Sequence, residues 1–318
     1  LHHTHWGGKI RHRPPGRRSR PIRTAVIHQD QLPGFRQRQG AEGVQQKTVV
    51  EADFDPVEIF RIPLGDGSEA PQLSLTRARR TATTTARVID HEGLSRDVHV
   101  PGEHALTLYL DRRELVTLMT LGQAPEALVM GYLRTQNLIG ALADLEAVHV
   151  DWATGSCAIV TRDPAAHDPA ARMARRTVTT GCGQGTMFGD WLADLAPVST
   201  PLTLDVATLD LALGHILALD TIYKLSGSVH GCALLRNEAE APLLYHVEDV
   251  GRHNAVDSIS GLMWLDEEIG ADKIFYTTGR LTSEMVMKAA QLGVPFLVSR
   301  SGLTRMGLVL AERLGITL

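Results

Sequence analysis

The sequence predicts a mixed α/β protein, with an α/β core over residues 201–318 and a smaller β-rich part over 96–200. Three observations carry this. From Ser226 onward short β-prone runs alternate with helical runs, which is the pattern of strands covered by helices. Ahead of them, runs of period-two alternation are separated by turn residues. With 318 residues, 43% hydrophobic and 21% charged, the chain can build one large or two modest cores.

In chain order, Ala105–Leu110 and Glu114–Met119 alternate apolar and polar residues about a turn at Asp111-Arg112-Arg113, predicting a hairpin of half-buried strands. Pro125 suits a first helical position, and Leu128, Val129, Tyr132 and Leu133 recur at helical spacing, so a helix is expected from Pro125 through Gly140. Strands are expected at Glu146–Trp152 and Ser156–Arg162, with Cys157 a structural residue inside the second. A short helix is expected near Phe188–Leu195, before the breakers Pro197 and Pro201, and a longer one from Asp205 to Lys224, with His215 a surface or satisfied histidine. Then strands at Val229–Leu235, Leu243–Val247, Lys273–Thr277 and Pro295–Ser299 alternate with helices starting at Arg252 and covering Ser283–Leu292 and Thr304–Leu314.

The net charge of -4 hides an asymmetry. Residues 1–40 hold nine Lys or Arg against Asp30 alone, so the arm carries +8 and the remainder -12. No aromatic interleaving accompanies the basic arm, so no nucleic-acid partner is expected. The first methionine is Met119, and residues 1–95 are expected to be a disordered or non-native extension. Three scattered cysteines argue for a reducing compartment, the cytoplasm, and no apolar run long enough to span a membrane occurs.

The stretch of most chemical interest is Thr179-Thr180-Gly181-Cys182-Gly183-Gln184-Gly185. Glycines around Cys182 give it the access that a reacting thiol needs, although a cysteine with no chemical task fits the same loop. Two strand-to-helix junctions stand beside it: Glu248–Asp257, containing Arg252, His253 and Asn254, and Thr278–Glu284, containing Gly279 and Arg280. In open α/β sheets such junctions hold ligands, and arginines beside helix N-termini favour an anion. The plainer alternative is that Asp249, Arg252 and Asp257 serve as caps and ion-pair partners.

The segments Asp249–Asp257, Thr278-Gly279-Arg280 with Ser283-Glu284-Met285 and Lys288, and the glycine-flanked Cys182 resemble the formate dehydrogenase accessory sulfurtransferase family, FdhD, in residues, order and spacing. The resemblance runs from about His99 to the end. It implies a cytidine-deaminase-like C-terminal core, a homodimer, and a sulfur relay. In that relay Cys182 takes sulfur from a cysteine desulfurase as a persulfide and passes it to the molybdenum bis(molybdopterin guanine dinucleotide) cofactor destined for formate dehydrogenase. The implied cofactor-binding residues are Asp249, Arg252, His253, Asn254, Asp257, Gly279, Arg280, Ser283, Glu284 and Lys288, with no metal of the protein's own.

Departures from the family pattern bear on function. Cys182-Gly183-Gln184-Gly185 lacks the second cysteine of the usual loop, so no local disulfide can form. Ser258 replaces a frequent lysine, and Ser301-Gly302-Leu303-Thr304 keeps only the hydroxyls of a Ser-Ala-Pro-Thr. The family commonly continues past the last helix into a further strand that contributes to cofactor binding, so the expectation is either a chain truncated after Leu318 or an incomplete cofactor site. His230-Gly231-Cys232 lacks the glutamate of a zinc deaminase and no Cys-x-x-Cys occurs, which argues against nucleobase deamination. A chaperone that binds the cofactor or the apo-enzyme without moving sulfur is the alternative function.

Overall fold

The computed structural model describes residues 57–61, 72–165, 176–178, 186–188 and 195–318. Cys182 and most of residues 1–71 lie outside the described residues. The first half builds a six-stranded sheet in the order β1-β2-β7-β8-β5-β6. Its strands are β1 (Val57–Arg61), β2 (Gln72–Thr76), β5 (His104–Leu110), β6 (Arg113–Thr120), β7 (Leu145–Asp151) and β8 (Ser156–Thr161).

Alternation decides which face is inside. In β5, Leu106, Leu108 and Leu110 are buried while Thr107 and Tyr109 are half-exposed. The expected turn at Asp111-Arg112 closes the β5–β6 hairpin with positive φ at both residues (45° and 70°). Asp111 is doubly employed there, since its carboxylate accepts from the Thr161 amide and hydroxyl of β8 at 2.9 and 2.6 Å. The sheet also recruits residues ahead of 95, which the sequence reading had set apart: Leu73 and Leu75 of β2 are core residues. Between β2 and β5 a separate hairpin of β3 (Thr83–Ile89) and β4 (Ser95–Pro101) pairs with no other strand among the described residues.

Helix α1 (Pro125–Thr135) covers this sheet and is buried on nearly every side. It ends five residues before the expected Gly140, because Gln136 closes the last turn and Asn137 turns left-handed at φ 53°. Glu126, in its first turn, accepts from the Thr76 hydroxyl at 2.6 Å and the Ala78 amide at 2.9 Å, tying the helix to β2.

Strands β9 (Arg176–Val178) and β10 (Thr186–Phe188) pair antiparallel, with Thr186 opposite Val178. They bracket residues 179–185, the segment of Cys182. Phe188 therefore closes a strand, where a helix had been expected to start; the chain from 189 to 194 lies outside the described residues.

The second sheet runs β12-β11-β13-β14, from β11 (His230–Arg236), β12 (Leu243–Asp249), β13 (Lys273–Thr277) and β14 (Phe296–Ser299). β11 is antiparallel to both neighbours, while β13 and β14 are parallel. One face packs α4 (Arg252–Leu265), α5 (Ser283–Gln291) and α6 (Arg305–Leu314) through Val256, Ile259, Met263, Met285, Val286 and Leu310. The other packs α2 (Val206–Ala218) through Ala212 and Ile216. Coverage on both sides explains why five consecutive residues of β11 are buried.

The single helix expected from Asp205 to Lys224 is two. α2 stops at Ala218, and α3 (Ile222–Ser226) restarts after Thr221, whose side chain accepts from the Lys224 amide. A strand enforces the break: the Glu248 carboxylate of β12 accepts from the amides of Ile222 and Tyr223 at 2.6 and 2.9 Å. His215 of α2 is satisfied as expected, with Nδ1 3.0 Å from the Ala241 carbonyl. Among the described residues no helix is long and apolar enough to cross a membrane.

Candidate functional site

The two motif segments meet at the end of the second sheet, and they interlock pair by pair. Asp249, the last residue of β12, is almost fully buried. Its carboxylate accepts from the Thr120 hydroxyl (2.5 Å), the Leu121 amide (3.1 Å), the Gly251 amide (3.1 Å) and the Asn254 side-chain amide (2.8 Å). Asn254 also donates to the Met119 carbonyl at 2.7 Å. These two residues thus lash the end of β6 to the start of α4, a service rendered to the fold.

Deeper in α4, Asp257 receives both its strong bonds from within. Lys288 Nζ of α5 stands 2.7 and 2.8 Å from the two carboxylate oxygens, and the Thr135 hydroxyl at the end of α1 donates at 2.8 Å. Asp257 is 2% exposed and Lys288 1%. His253 Nδ1 stands 3.1 Å from Glu284 Oε1, and both side chains are buried. Burial first, then the charges of Lys288 and Arg252, push the His253 pKa down to about 2. The imidazole is neutral, and although Nδ1 lies close to Glu284, neither ring nitrogen makes a hydrogen bond among the described residues.

Of the residues the sequence singled out, the ones that face outward are few. Arg252, the first residue of α4, is half-buried, and its Nε has no acceptor among the described residues. It lies against Gly279: a Cβ there would fall 2.8 Å from Arg252 Cδ, so only glycine leaves room for the arginine to cross. Arg280 is exposed and Ser283 half-exposed.

Beside them opens a cleft of about 460 Å³ lined by Tyr223, Ser228, His230, Thr278, Arg300 and Ser301, with Val250 at its wall. Thr278 organises the floor: its hydroxyl accepts from the Gly231 amide at 3.0 Å and lies 3.4 Å from His230 Nδ1, while its carbonyl accepts from Ser301 Oγ at 2.9 Å. The Arg300 guanidinium sits over the Tyr223 ring, 4.3 Å from its centroid. Burial, then the charges of Arg252 and Arg300, lower the pKa of His230, so the imidazole in the cleft is neutral at pH 7. Among the described residues no carboxylate is within ion-pair reach of Arg252, Arg280 or Arg300.

Sequence reasoning missed Tyr223 and Arg300. Arg300 could have been found from its place directly after a parallel strand, between Ser299 and Ser301; Tyr223 carried no local signal. The buried cysteines are inert: burial pushes the Cys157 thiol up, and the Cys232 thiol, which donates to Thr277 Oγ1 at 3.4 Å, up to about 12. No group of three His, Cys, Asp or Glu that could hold a metal occurs among the described residues.

His253 makes the fold acid-sensitive. Neutral in the folded state and protonated near pH 6.5 when unfolded, it contributes stability that is fully present above about pH 6.5 and lost as pH falls toward about 2. The expected slope is about 1.4 kcal/mol per pH unit below 6.5. Urea unfolding at pH 7.5 and 5.5 measures it, and His253→Gln should flatten the difference; an equal pH dependence in that variant refutes the assignment.

Fold and site together define a mixed α/β protein with a cleft at the end of a helix-covered sheet that is lined, among the described residues, by one arginine, Arg300, and by no carboxylate. Comparison with known proteins makes this particular. The FdhD/NarQ family model matches residues 101–318, and the chain belongs to that family. It is 30% identical over 225 residues to the sulfur carrier protein FdhD of Listeria innocua serovar 6a, covering 69% of this chain and 84% of the relative. Identity to the sulfur carrier protein FdhD of Wolinella succinogenes is 27% over 219 residues, 68% of this chain and 74% of the relative. A crystal structure described as a formate dehydrogenase accessory protein from Desulfotalea psychrophila superposes with a TM-score of 0.58 at 28% identity, covering 74% of this chain and 89% of that one.

Proposed function

We propose that this chain is a sulfur carrier that takes sulfur from a cysteine desulfurase as a persulfide on Cys182 and passes it to the molybdenum bis(molybdopterin guanine dinucleotide) cofactor of formate dehydrogenase. One observation carries the substrate assignment: Arg252, Arg280 and Arg300 follow the C-terminal ends of β12, β13 and β14 at one end of the second sheet, with no carboxylate to neutralise them among the described residues. Guanidinium forks match phosphate oxygens, and the cofactor carries diphosphates. The orphaned Arg252 Nε gives the same indication. The family's sulfur carriers support the role of the thiol.

In the loading step the Cys182 thiolate attacks the terminal sulfur of the donor's persulfide. A new S–S bond forms on Cys182, the donor's S–S bond breaks, and the donor cysteine leaves as a thiolate, with no net redox change. Delivery of that sulfur as sulfide consumes two electrons from a thiol reductant. With Gly185 where a second cysteine is usual, this chain performs the relay with one loop thiol, acts as a homodimer, and works in the cytoplasm. Asp249, Asn254, Asp257 and Lys288 support the site from within, Gly279 leaves room for Arg252, and Arg252, Arg280 and Ser283 face the cofactor.

Incubation with a desulfurase and cysteine should add one sulfur to the Cys182 peptide by mass spectrometry, and Cys182→Ala should fail to restore formate dehydrogenase. No added sulfur, together with a fully active Cys182→Ala, would leave the non-transferring chaperone instead.

A further inference from the structure

The cleft's arginine is held by an unusual partner. Arg300 has no ion pair among the described residues and rests on the Tyr223 ring, and both residues line the cleft. Tyr223 is itself pinned more firmly than a one-turn helix would allow. Glu248 accepts from its amide, Gly227 N donates to its carbonyl at 2.8 Å, and Ser226 Oγ donates to the Ile222 carbonyl at 2.9 Å. Lys224 Nζ reaches back to the Leu217 carbonyl at 2.8 Å, fixing α3 against the end of α2.

An arginine held by an aromatic face keeps all five N–H donors for a ligand. One held by a carboxylate would spend two of them and present the incoming anion with a competing negative charge. The rest of the polar lining, Ser228, Ser301, Thr278 and a neutral His230, carries no negative charge to compete with an anion for Arg300.

We propose that Tyr223 is a positioning residue that holds the Arg300 fork toward the cleft, and that Arg300 binds the diphosphate of the ligand there. This rests on the anionic-cofactor reading of the cleft and assigns the phosphate contact to residues outside the two recognised motifs. Glu248 acts one step back, by fixing α3.

Calorimetric titration of the full chain with inorganic phosphate, inorganic pyrophosphate, GDP and guanosine tests it. Pyrophosphate and GDP should bind, with free phosphate weaker and guanosine weakest. Arg300→Gln should weaken pyrophosphate at least about tenfold, and Arg300→Lys should not restore it, because a lysine offers no fork. Tyr223→Leu should weaken pyrophosphate several-fold with an unchanged unfolding midpoint, and Tyr223→Phe, which keeps the ring face, should bind within about twofold of the parent. A merely structural tyrosine would lower the unfolding midpoint of Tyr223→Leu and leave affinity alone. That outcome, an undiminished Arg300→Gln, or a parent chain that binds no pyrophosphate overturns the proposal. Persulfide loading of Cys182, measured separately, reports on the sulfur-carrier reading: intact pyrophosphate binding without loading would refute that reading and leave the Tyr223–Arg300 assignment standing.

Discussion

Lys288→Met should destabilise the protein by about 3–5 kcal/mol, one of the largest single-residue effects in this fold. The ammonium it removes bridges both oxygens of Asp257, and in its absence a carboxylate 2% exposed is left with the Thr135 hydroxyl as its partner. The loss should shrink as pH falls. In the variant the buried carboxylate's pKa rises above its unfolded value, so the folded state binds the extra proton and is favoured at lower pH. Pairing the change with Asp257→Leu should recover most of the stability, because the cost comes from one uncompensated charge more than from a lost attraction. Urea unfolding of the two single variants and the double variant decides this. A cost below about 1 kcal/mol for Lys288→Met, or a double variant no better than the singles, overturns it.

The same cycle separates two readings of the motif. Were Asp257 and Lys288 in contact with the cofactor, the double variant would fold and lose GDP affinity. The geometry, with the pair closed on itself and on α1, leads to the opposite expectation: GDP affinity retained.

This is where the sequence could and could not be read. The alternation of strands and helices from Val229 onward was legible because buried runs and helical spacing are local properties. So were the Asp111-Arg112 turn and the Pro125 helix start. The Asp249–Asp257 motif stood out as polar residues at a strand-to-helix junction, but polarity alone does not say which way a side chain faces. Asp249 finds its partners in Thr120 and Leu121, 129 and 128 residues away, and Asp257 in Thr135 and Lys288. The plainer alternative of caps and ion-pair partners describes Asp249 and Asp257, whereas Arg252 alone keeps a donor free. The helix break after Ala218 was equally out of reach, since the carboxylate that pins α3 comes from β12.

The seam between the two halves was invisible in the sequence for a related reason: it is made of missing atoms. α1 belongs to the first sheet and α4 to the second, and their backbones touch where Gly131 faces Gly261. A Cβ at Gly131 would lie 1.7 Å from the Asp257 carbonyl oxygen, and one at Gly261 would lie 1.9 Å from that of Ala127. Both obstacles are backbone in helix interiors, so neither can rotate away as a side chain would, and the helices must separate. Gly131→Ala is therefore expected to cost about 3 kcal/mol or more, the upper end for overpacking, even though alanine favours a helix by about 1 kcal/mol. Gly214 of α2 supplies the control. Nothing lies within 4 Å of a Cβ there, so Gly214→Ala should instead stabilise by about 0.5–1 kcal/mol. Separation of α1 from α4 also relieves both clashes at once, so Gly131→Ala with Gly261→Ala should cost clearly less than the sum of the two. Urea midpoints of the four variants test this; Gly131→Ala within about 0.5 kcal/mol of the parent, or strict additivity of the pair, would mean that the two halves do not meet through these glycines.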